Sequence, residues 1–276
     1  MERRFCQVDV FAEERYFGNP VAVVLDGKGL TTEEMQQFAS WTNLSETTFV
    51  VPPEAAGADY RVRIFTPRRE LPFAGHPTLG TCHAWLGAGG APQRPDLIIQ
   101  ECDAGLIELR RIDGALAFAA PPLLRSGPVD EQTLERVVAA LGIARVAVVD
   151  AQWVDNGPGW VGVLLESADA VLALRPGLAD LDIGVAGPHP AGSPVAFEVR
   201  AFTPALGGVG EDPVTGSLNA SLAGWLLAAG YASAPYVASQ GTALGRRGRV
   251  RITRDPDGTI WVGGSTTTGV TGTADL

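Results

Sequence analysis

This chain is written twice. Arg63-Ile-Phe-Thr-Pro67 returns as Arg200-Ala-Phe-Thr-Pro204, and a Pro-x-x-Gly-[Thr/Ser] unit follows each copy, Pro77-Thr-Leu-Gly-Thr81 in the first half and Pro213-Val-Thr-Gly-Ser217 in the second. Arg200 stands 137 residues after Arg63 and Pro213 stands 136 after Pro77, so the halves keep step to within one residue. A repeat constrains architecture more than local propensity does, because each copy has to close on the same kind of unit. Farther on, Gly105-Leu-Ile-Glu-Leu leads to Asp113-Gly114 and Gly248-Arg-Val-Arg-Ile leads to Asp257-Gly258. Asp-Gly favours the tight turns that join antiparallel strands.

The upstream parts match more loosely. Gly18-Asn-Pro-Val-Ala-Val-Val-Leu25 reads as a strand, and Thr31-Thr-Glu-Glu34 is a capping box that opens a helix with Met35, Phe38 and Ala39 on one face. Gly159-Trp-Val-Gly-Val-Leu-Leu165, then Ser167 and the run to Leu174, give the same strand-then-helix order. Each half is thus predicted to be a mixed α/β (α+β) unit. The stretches after Pro77 and Pro213 are almost free of ionisable groups, His83 being the exception, and a helix apolar all round is a buried one. Strands wrapped around a central buried helix are therefore expected twice. Both helices are predicted to begin with proline at the first helical position, capped by His76 and Asp212. Their amides and positive dipole ends would make an anion site, and two such ends facing each other would form one cleft. The Ala120-Pro-Pro122 join divides the chain into an N-terminal half, 1–120, completed by the terminal segment 264–276, and a C-terminal half, 121–263. Residues 187–194 read as a second loop rich in glycine and proline.

Composition narrows the function classes. A formal charge of -10 supplies no basic footprint for nucleic acid or anionic lipid. No run of about 18 apolar residues is present and no export signal is visible at Met1, so a cytoplasmic protein without membrane partners is expected. Cys6, Cys82 and Cys102 are odd in number and widely spaced, which indicates neither a disulfide framework nor a metal site. The phosphate-binding, dinucleotide-binding, nucleophile-elbow and H-E-x-x-H motifs are all missing, and three scattered histidines give no metal-ligand spacing. Neither metal nor cofactor is expected.

Among the polar residues, Asp212 and His76 read either as helix caps or as site groups, and Glu46 in Asn43-Leu-Ser-Glu-Thr-Thr-Phe-Val50 reads either as an exposed strand start or as a catalytic carboxylate. Thr81 fits an ordinary first-turn hydroxyl, His83 a core histidine satisfied by hydrogen bonds, and His189 a loop residue.

Three ordered segments carry a resemblance. Asn43-Leu-Ser-Glu46-Thr-Thr-Phe, Phe65-Thr-Pro-x-x-Glu70-Leu-Pro-Phe-Ala-Gly75-His76-Pro-Thr-Leu-Gly80 and Gly210-Glu211-Asp212-Pro-Val-Thr-Gly216-Ser217 resemble the PhzF family, and the likeness runs from Val8-Asp-Val-Phe to Gly263-Gly264. It implies the diaminopimelate epimerase-like fold, two pseudo-equivalent domains, no metal or cofactor, and a homodimer. It also implies an activity similar to that of trans-2,3-dihydro-3-hydroxyanthranilate isomerase, in which a glutamate moves a proton between two ring carbons of a small carboxylated substrate. Glu46 falls on that glutamate, His76 and Asp212 on its polar catalytic partners, and Gly75, Gly216 and Ser217 on substrate-binding positions. Epimerase relatives use a pair of cysteines instead; here Ala74 stands where the first thiol would be, and the second motif has no cysteine. One carboxylate that takes a proton and returns it suits transfer along one face, and burial in a closing cleft would raise its pKa toward neutrality. Two further readings stay open: an epimerase or racemase with Glu46 opposite Asp212 or His76, and a catalytically silent ligand-binding protein on the same scaffold.

Overall fold

In the computed structural model, which describes residues 1–177, 180–204 and 210–276, the chain forms two units, Met1–Ala119 with Gly263–Leu276, and Ala120–Val262. In the first, β1 (Glu2–Val10) runs antiparallel to β2 (Asn19–Val24) on one side and to the C-terminal strand Thr266–Asp275 on the other. Helix α1 (Thr32–Thr42) follows because its start is written into the sequence: the Thr31 hydroxyl accepts from the Glu34 amide, and the Glu34 carboxylate accepts from the Thr31 amide. Met35 and Ala39 bury themselves against Val24, Phe49 and Phe65, so the apolar face holds the helix on its sheet. Asn43 stops it. Its left-handed conformation, φ 54°, is one asparagine tolerates, and the turn delivers the chain to β3 (Glu46–Val51), which lies parallel to β2.

From β3 the sheet continues antiparallel into β4 (Tyr60–Phe65), whose end pairs with the short β5 (Glu70–Leu71). Helix α2 (Gly75–Gly87) then crosses to β6 (Ile98–Cys102), parallel to β4, and a meander of β7 (Gly105–Ile112) and β8 (Ala115–Ala119) completes the unit. Asp113 and Gly114, both at positive φ (49° and 82°), make the two-residue hairpin turn that the dipeptide favours. Helix α2 packs on β1, β2, β3 and β8. With strands around it, its hydroxyls turn to them: Thr81 donates to Thr48 at 2.8 Å and Gln100 donates to Thr78 at 2.9 Å.

The second unit opens with β9 (Arg125–Pro128) and α3 (Glu131–Leu141), capped by Asp130 and packed by Leu134, Val137 and Leu141. The first unit's order then returns as β10 (Val148–Asp155), β11 (Val161–Leu165), α4 (Ala168–Ala173), β12 (Ile183–Pro188), β13 (Phe197–Phe202), β14 (Glu211–Asp212), α5 (Gly216–Ala228), β15 (Tyr236–Gln240), β16 (Gly248–Arg254) and β17 (Ile260–Gly264). Strand β12 is parallel to β11 and antiparallel to β13, and β15 is parallel to β13, as in the first unit. The expected loop at 187–194 begins only at His189, because Gly187 and Pro188 still belong to β12. A Cβ on Gly187 would lie 2.3 Å from the Ser167 carbonyl oxygen, so glycine there serves close approach to the start of α4 instead of a turn.

The repeat itself has a different register from the one its prolines suggest. Arg63 grips Glu70 through two hydrogen bonds, of 2.7 and 2.6 Å, and Arg200 grips Glu211 in the same way, at 2.9 and 2.7 Å. Glu211 stands 141 residues after Glu70, and the two 13-residue helices that follow, starting at Gly75 and Gly216, keep that spacing. Pro213 therefore corresponds to Pro72 and not to Pro77, Ser217 corresponds to His76, and Asp212 corresponds to Leu71. Neither helix starts at the expected proline. The N-caps are Ala74 and Thr215, Pro77 is the third residue of α2, and Pro213 precedes α5 altogether.

Glycines in the two central helices separate packing from propensity. A Cβ on Gly80 would meet Val21 Cγ1 at 2.3 Å, whereas one on Gly224 meets nothing within 4 Å. Gly80→Ala should cost about 1–3 kcal/mol through overpacking, and Gly224→Ala should gain roughly 0.5–1 kcal/mol from helix propensity. Urea unfolding midpoints of the two variants should move in opposite directions.

Candidate active site

In the first unit two elements far apart in sequence meet. Glu46 is the first residue of β3 and His76 the second residue of α2, and His76 Nε2 lies 3.4 Å from Glu46 Oε2. That is long for a hydrogen bond, as catalytic contacts often are before substrate tightens them. The Glu46 side chain keeps 15% of its surface accessible and the imidazole only 4%, so the glutamate is the more exposed partner of the two, with its Oε2 buried on the side of the ring. Burial pushes the His76 pKa down to about 3, against a smaller upward pull from the Pro20 carbonyl, so the ring is neutral at pH 7.

Behind the imidazole sits Asn19, fully buried, its Nδ2 3.3 Å from His76 Nδ1. Gly18 fixes that asparagine. Its amide donates to both oxygens of Asp9, at 3.1 and 3.0 Å, and a Cβ on Gly18 would fall 2.2 Å from the Val10 carbonyl oxygen. Helix α2 makes its first intrahelical bond from Thr78 to Ala74, which leaves the amides of Gly75 and His76 ahead of the ladder. His76 is thus a first-turn residue and not the cap its place before a proline suggests.

The second unit holds the other expected residues. Asp212 lies in β14 and is not the N-cap residue: its Oδ2 accepts from the hydroxyl of the N-cap, Thr215, at 2.5 Å. Gln240, fully buried on β15, ties this corner together. Its Nε2 donates to the Asp212 carbonyl and the Thr215 hydroxyl, and its Oε1 accepts from the Thr215 amide and from Asn219. Glu211, beside Asp212 in sequence, is spent on Arg200. Gly216 and Ser217 open α5; the Trp160 indole N–H donates to Ser217 Oγ at 3.3 Å, and Asn156 donates to the Ser217 carbonyl at 2.9 Å. Asn19, Trp160 and Gln240 were not singled out in the sequence. Asn19 entered the sequence reading only within the strand Gly18–Leu25.

The remaining polar residues have structural partners. His83 is held between the hydroxyls of Thr266 and Thr268, each 3.0 Å away, Thr81 serves β3, and His189 Nε2 lies 3.3 Å from Glu198 and from Ser239. All three cysteines are free and buried, and burial pushes their thiols up to about 11 for Cys6, 12 for Cys82 and 11 for Cys102. Among the described residues no cluster of His, Cys, Asp and Glu could hold a metal ion, and no helix is long and apolar enough to cross a membrane.

Comparison with known proteins identifies the family. The family model for phenazine biosynthesis-like protein, PhzC-PhzF, matches residues 8–275. Trans-2,3-dihydro-3-hydroxyanthranilate isomerase of Pseudomonas aeruginosa is 39% identical over 264 residues, 90% of this chain and 88% of that protein. The Schizosaccharomyces pombe protein named Antisense-enhancing sequence 1 is 39% identical over 98% of each chain. A crystal structure of the Bacillus anthracis PhzF-family protein superposes with a TM-score of 0.83, at 22% identity and full coverage of both chains, and the fold is the diaminopimelate epimerase-like one.

Two measurements check the chemistry of these groups. His76 in the unfolded chain titrates near 6.5 and in the fold near 3, so between those values unfolding takes up a proton. Its share of stability is complete above pH 6.5 and is lost as pH falls through that window, at up to about 1.4 kcal/mol per pH unit. His76→Gln should remove that slope from the difference between urea unfolding at pH 6 and at pH 4; equal slopes in the two proteins would mean that the ring is charged in the fold. Iodoacetamide at pH 7.5 should leave the native protein unlabelled by mass spectrometry and add three groups after denaturation.

Proposed function

Since this chain belongs to the PhzC-PhzF family of phenazine biosynthesis-like proteins and is an isomerase of it, we propose that Glu46 is its proton carrier, taking a proton from one carbon of a small carboxylated substrate and returning it to another on the same face. The observation that carries this reading is a Glu46 side chain that keeps 15% of its surface accessible and turns a buried Oε2 to a buried, neutral imidazole. A neutral ring beside the carboxylate offers a hydrogen bond without becoming a competing acid. Asp212 is the second catalytic group, engaging a polar substituent of the substrate. Gly75, Gly216 and Ser217 bind substrate, backbone amides at a helix start being suited to its carboxylate. The substrate class is that of trans-2,3-dihydro-3-hydroxyanthranilate, the compound named for the Pseudomonas relatives, and the homodimer that the sequence resemblance implies is the working form.

Inversion of a stereocentre by Glu46 opposite His76 is less well supported. It needs acid and base on opposite faces of a carbon, and groups 3.4 Å apart, as Glu46 and His76 are, address the same face. The buried, protonated thiols are unsuited to the two-thiol alternative.

With trans-2,3-dihydro-3-hydroxyanthranilate as substrate, Glu46→Gln should lower turnover by roughly 10²–10⁴-fold while the melting temperature stays near that of the wild type. Wild-type turnover by this variant would remove Glu46 from the mechanism. In D₂O, any label that enters by exchange on the Glu46 carboxyl before the proton is returned should appear on the face from which the proton left; label on the opposite face would establish the epimerase-type mechanism.

A further inference from the structure

A neutral imidazole has one N–H and one lone pair, and which nitrogen holds which decides what His76 can do for Glu46. Nδ1 faces the amide nitrogen of Asn19 at 3.3 Å, and Nε2 faces the Glu46 carboxylate at 3.4 Å. An amide nitrogen carries hydrogens and no available lone pair, so it can only donate to the ring. That leaves Nδ1 as the acceptor and the ring proton on Nε2. The opposing influence is the Pro20 carbonyl, which draws a ring proton toward itself. Asn19 is held for the contest. It is fully buried, pairs with Val10 across the β1–β2 ladder, and follows a glycine clamped by Asp9.

We propose that Asn19 is a positioning residue for the isomerase reaction: its side-chain amide donates to His76 Nδ1 and fixes the imidazole in the Nε2–H tautomer, so that an N–H and not a lone pair faces Glu46. The proposal rests on Glu46 being the proton carrier. An N–H aimed at the carboxylate stabilises its ionised form, which is the form that takes a proton from carbon. A lone pair aimed at it would instead accept a hydrogen bond from protonated Glu46 and hold the proton that must go back to substrate. Asn19 thereby sets the direction in which the Glu46–His76 contact works, without touching substrate.

The test reads the tautomer directly and needs no turnover. Protein labelled with ¹⁵N in its histidines gives long-range proton–nitrogen correlation spectra in which each ring nitrogen is seen as protonated or unprotonated, and the His76→Gln variant assigns the His76 signals among the three histidines. The expected wild-type result is Nε2 protonated and Nδ1 unprotonated from pH 6 to 8. Asn19→Asp keeps the shape of the side chain but turns an oxygen to the ring, and should move the proton to Nδ1. On trans-2,3-dihydro-3-hydroxyanthranilate the same variant should lose about 10–100-fold in kcat, the range for removing a group that orients a histidine, with KM nearly unchanged. Protonated Nδ1 in the wild type overturns the proposal even if Asn19→Asp fails to fold, and so does a folded Asp variant with an unchanged tautomer. Neither result bears on Glu46, whose role is judged by turnover of its own Gln variant.

Discussion

A helix enclosed by strands has few places to send the polar groups of its first turn, and that constraint organises each unit. Both central helices begin at a glycine after a residue whose side chain makes no cap bond to the helix, Ala74 and Thr215. Amides ahead of the hydrogen-bond ladder are costly in an apolar interior unless something polar meets them, so a ligand with negative charge is the natural complement of such a start. Several polar side chains nearby are engaged with partners of their own. Gln240 spends its amide on Asp212, Thr215 and Asn219, and Thr78 and Thr81 turn to Gln100 and Thr48.

The arginine–glutamate clamps set where those helices start. Each ties a long strand to the two-residue strand before the helix, and each guanidinium also lies over a phenylalanine ring two residues on, Arg63 over Phe65 at 5.1 Å and Arg200 over Phe202 at 4.9 Å. The clamps have the same geometry in different surroundings. In the first unit the Arg63 and Glu70 side chains keep 20% and 25% of their surface accessible, against 6% and 8% for Arg200 and Glu211. Removing one partner of the buried pair would strand a charge, so the second clamp is the harder one to alter.

Much of the local structure was legible in the sequence because short-range chemistry wrote it: the Thr31 capping box, the Asp113-Gly114 turn, and the apolar runs that became buried helices. The register of the repeat differs from the one its prolines suggest for a definite reason. The first half contains two Pro-x-x-Gly units five residues apart, Pro72-Phe-Ala-Gly75 and Pro77-Thr-Leu-Gly80, and the one with the closer spacing match is not the structural counterpart of Pro213-Val-Thr-Gly216. The meeting of Glu46 with His76, and of His76 with Asn19, lay beyond local pattern, since 30 and 57 residues separate the partners and only the parallel crossover through α1 and the burial of α2 bring them together. Family resemblance selected Glu46; its own neighbourhood in the sequence, a polar stretch before a strand, did not.

The C-terminal strand alongside β1 has a consequence for how the protein is made. Val10 is paired with Thr266, 256 residues later, so during synthesis β1 waits with one edge open for tens of seconds at the roughly 5–20 residues per second of translation. The second unit, Ala120–Val262, is continuous and is complete before that strand appears. The unit that carries Glu46 is therefore the first to emerge from the ribosome and the last to be closed, and its open β1 edge is the surface a chaperone would have to guard in the interval.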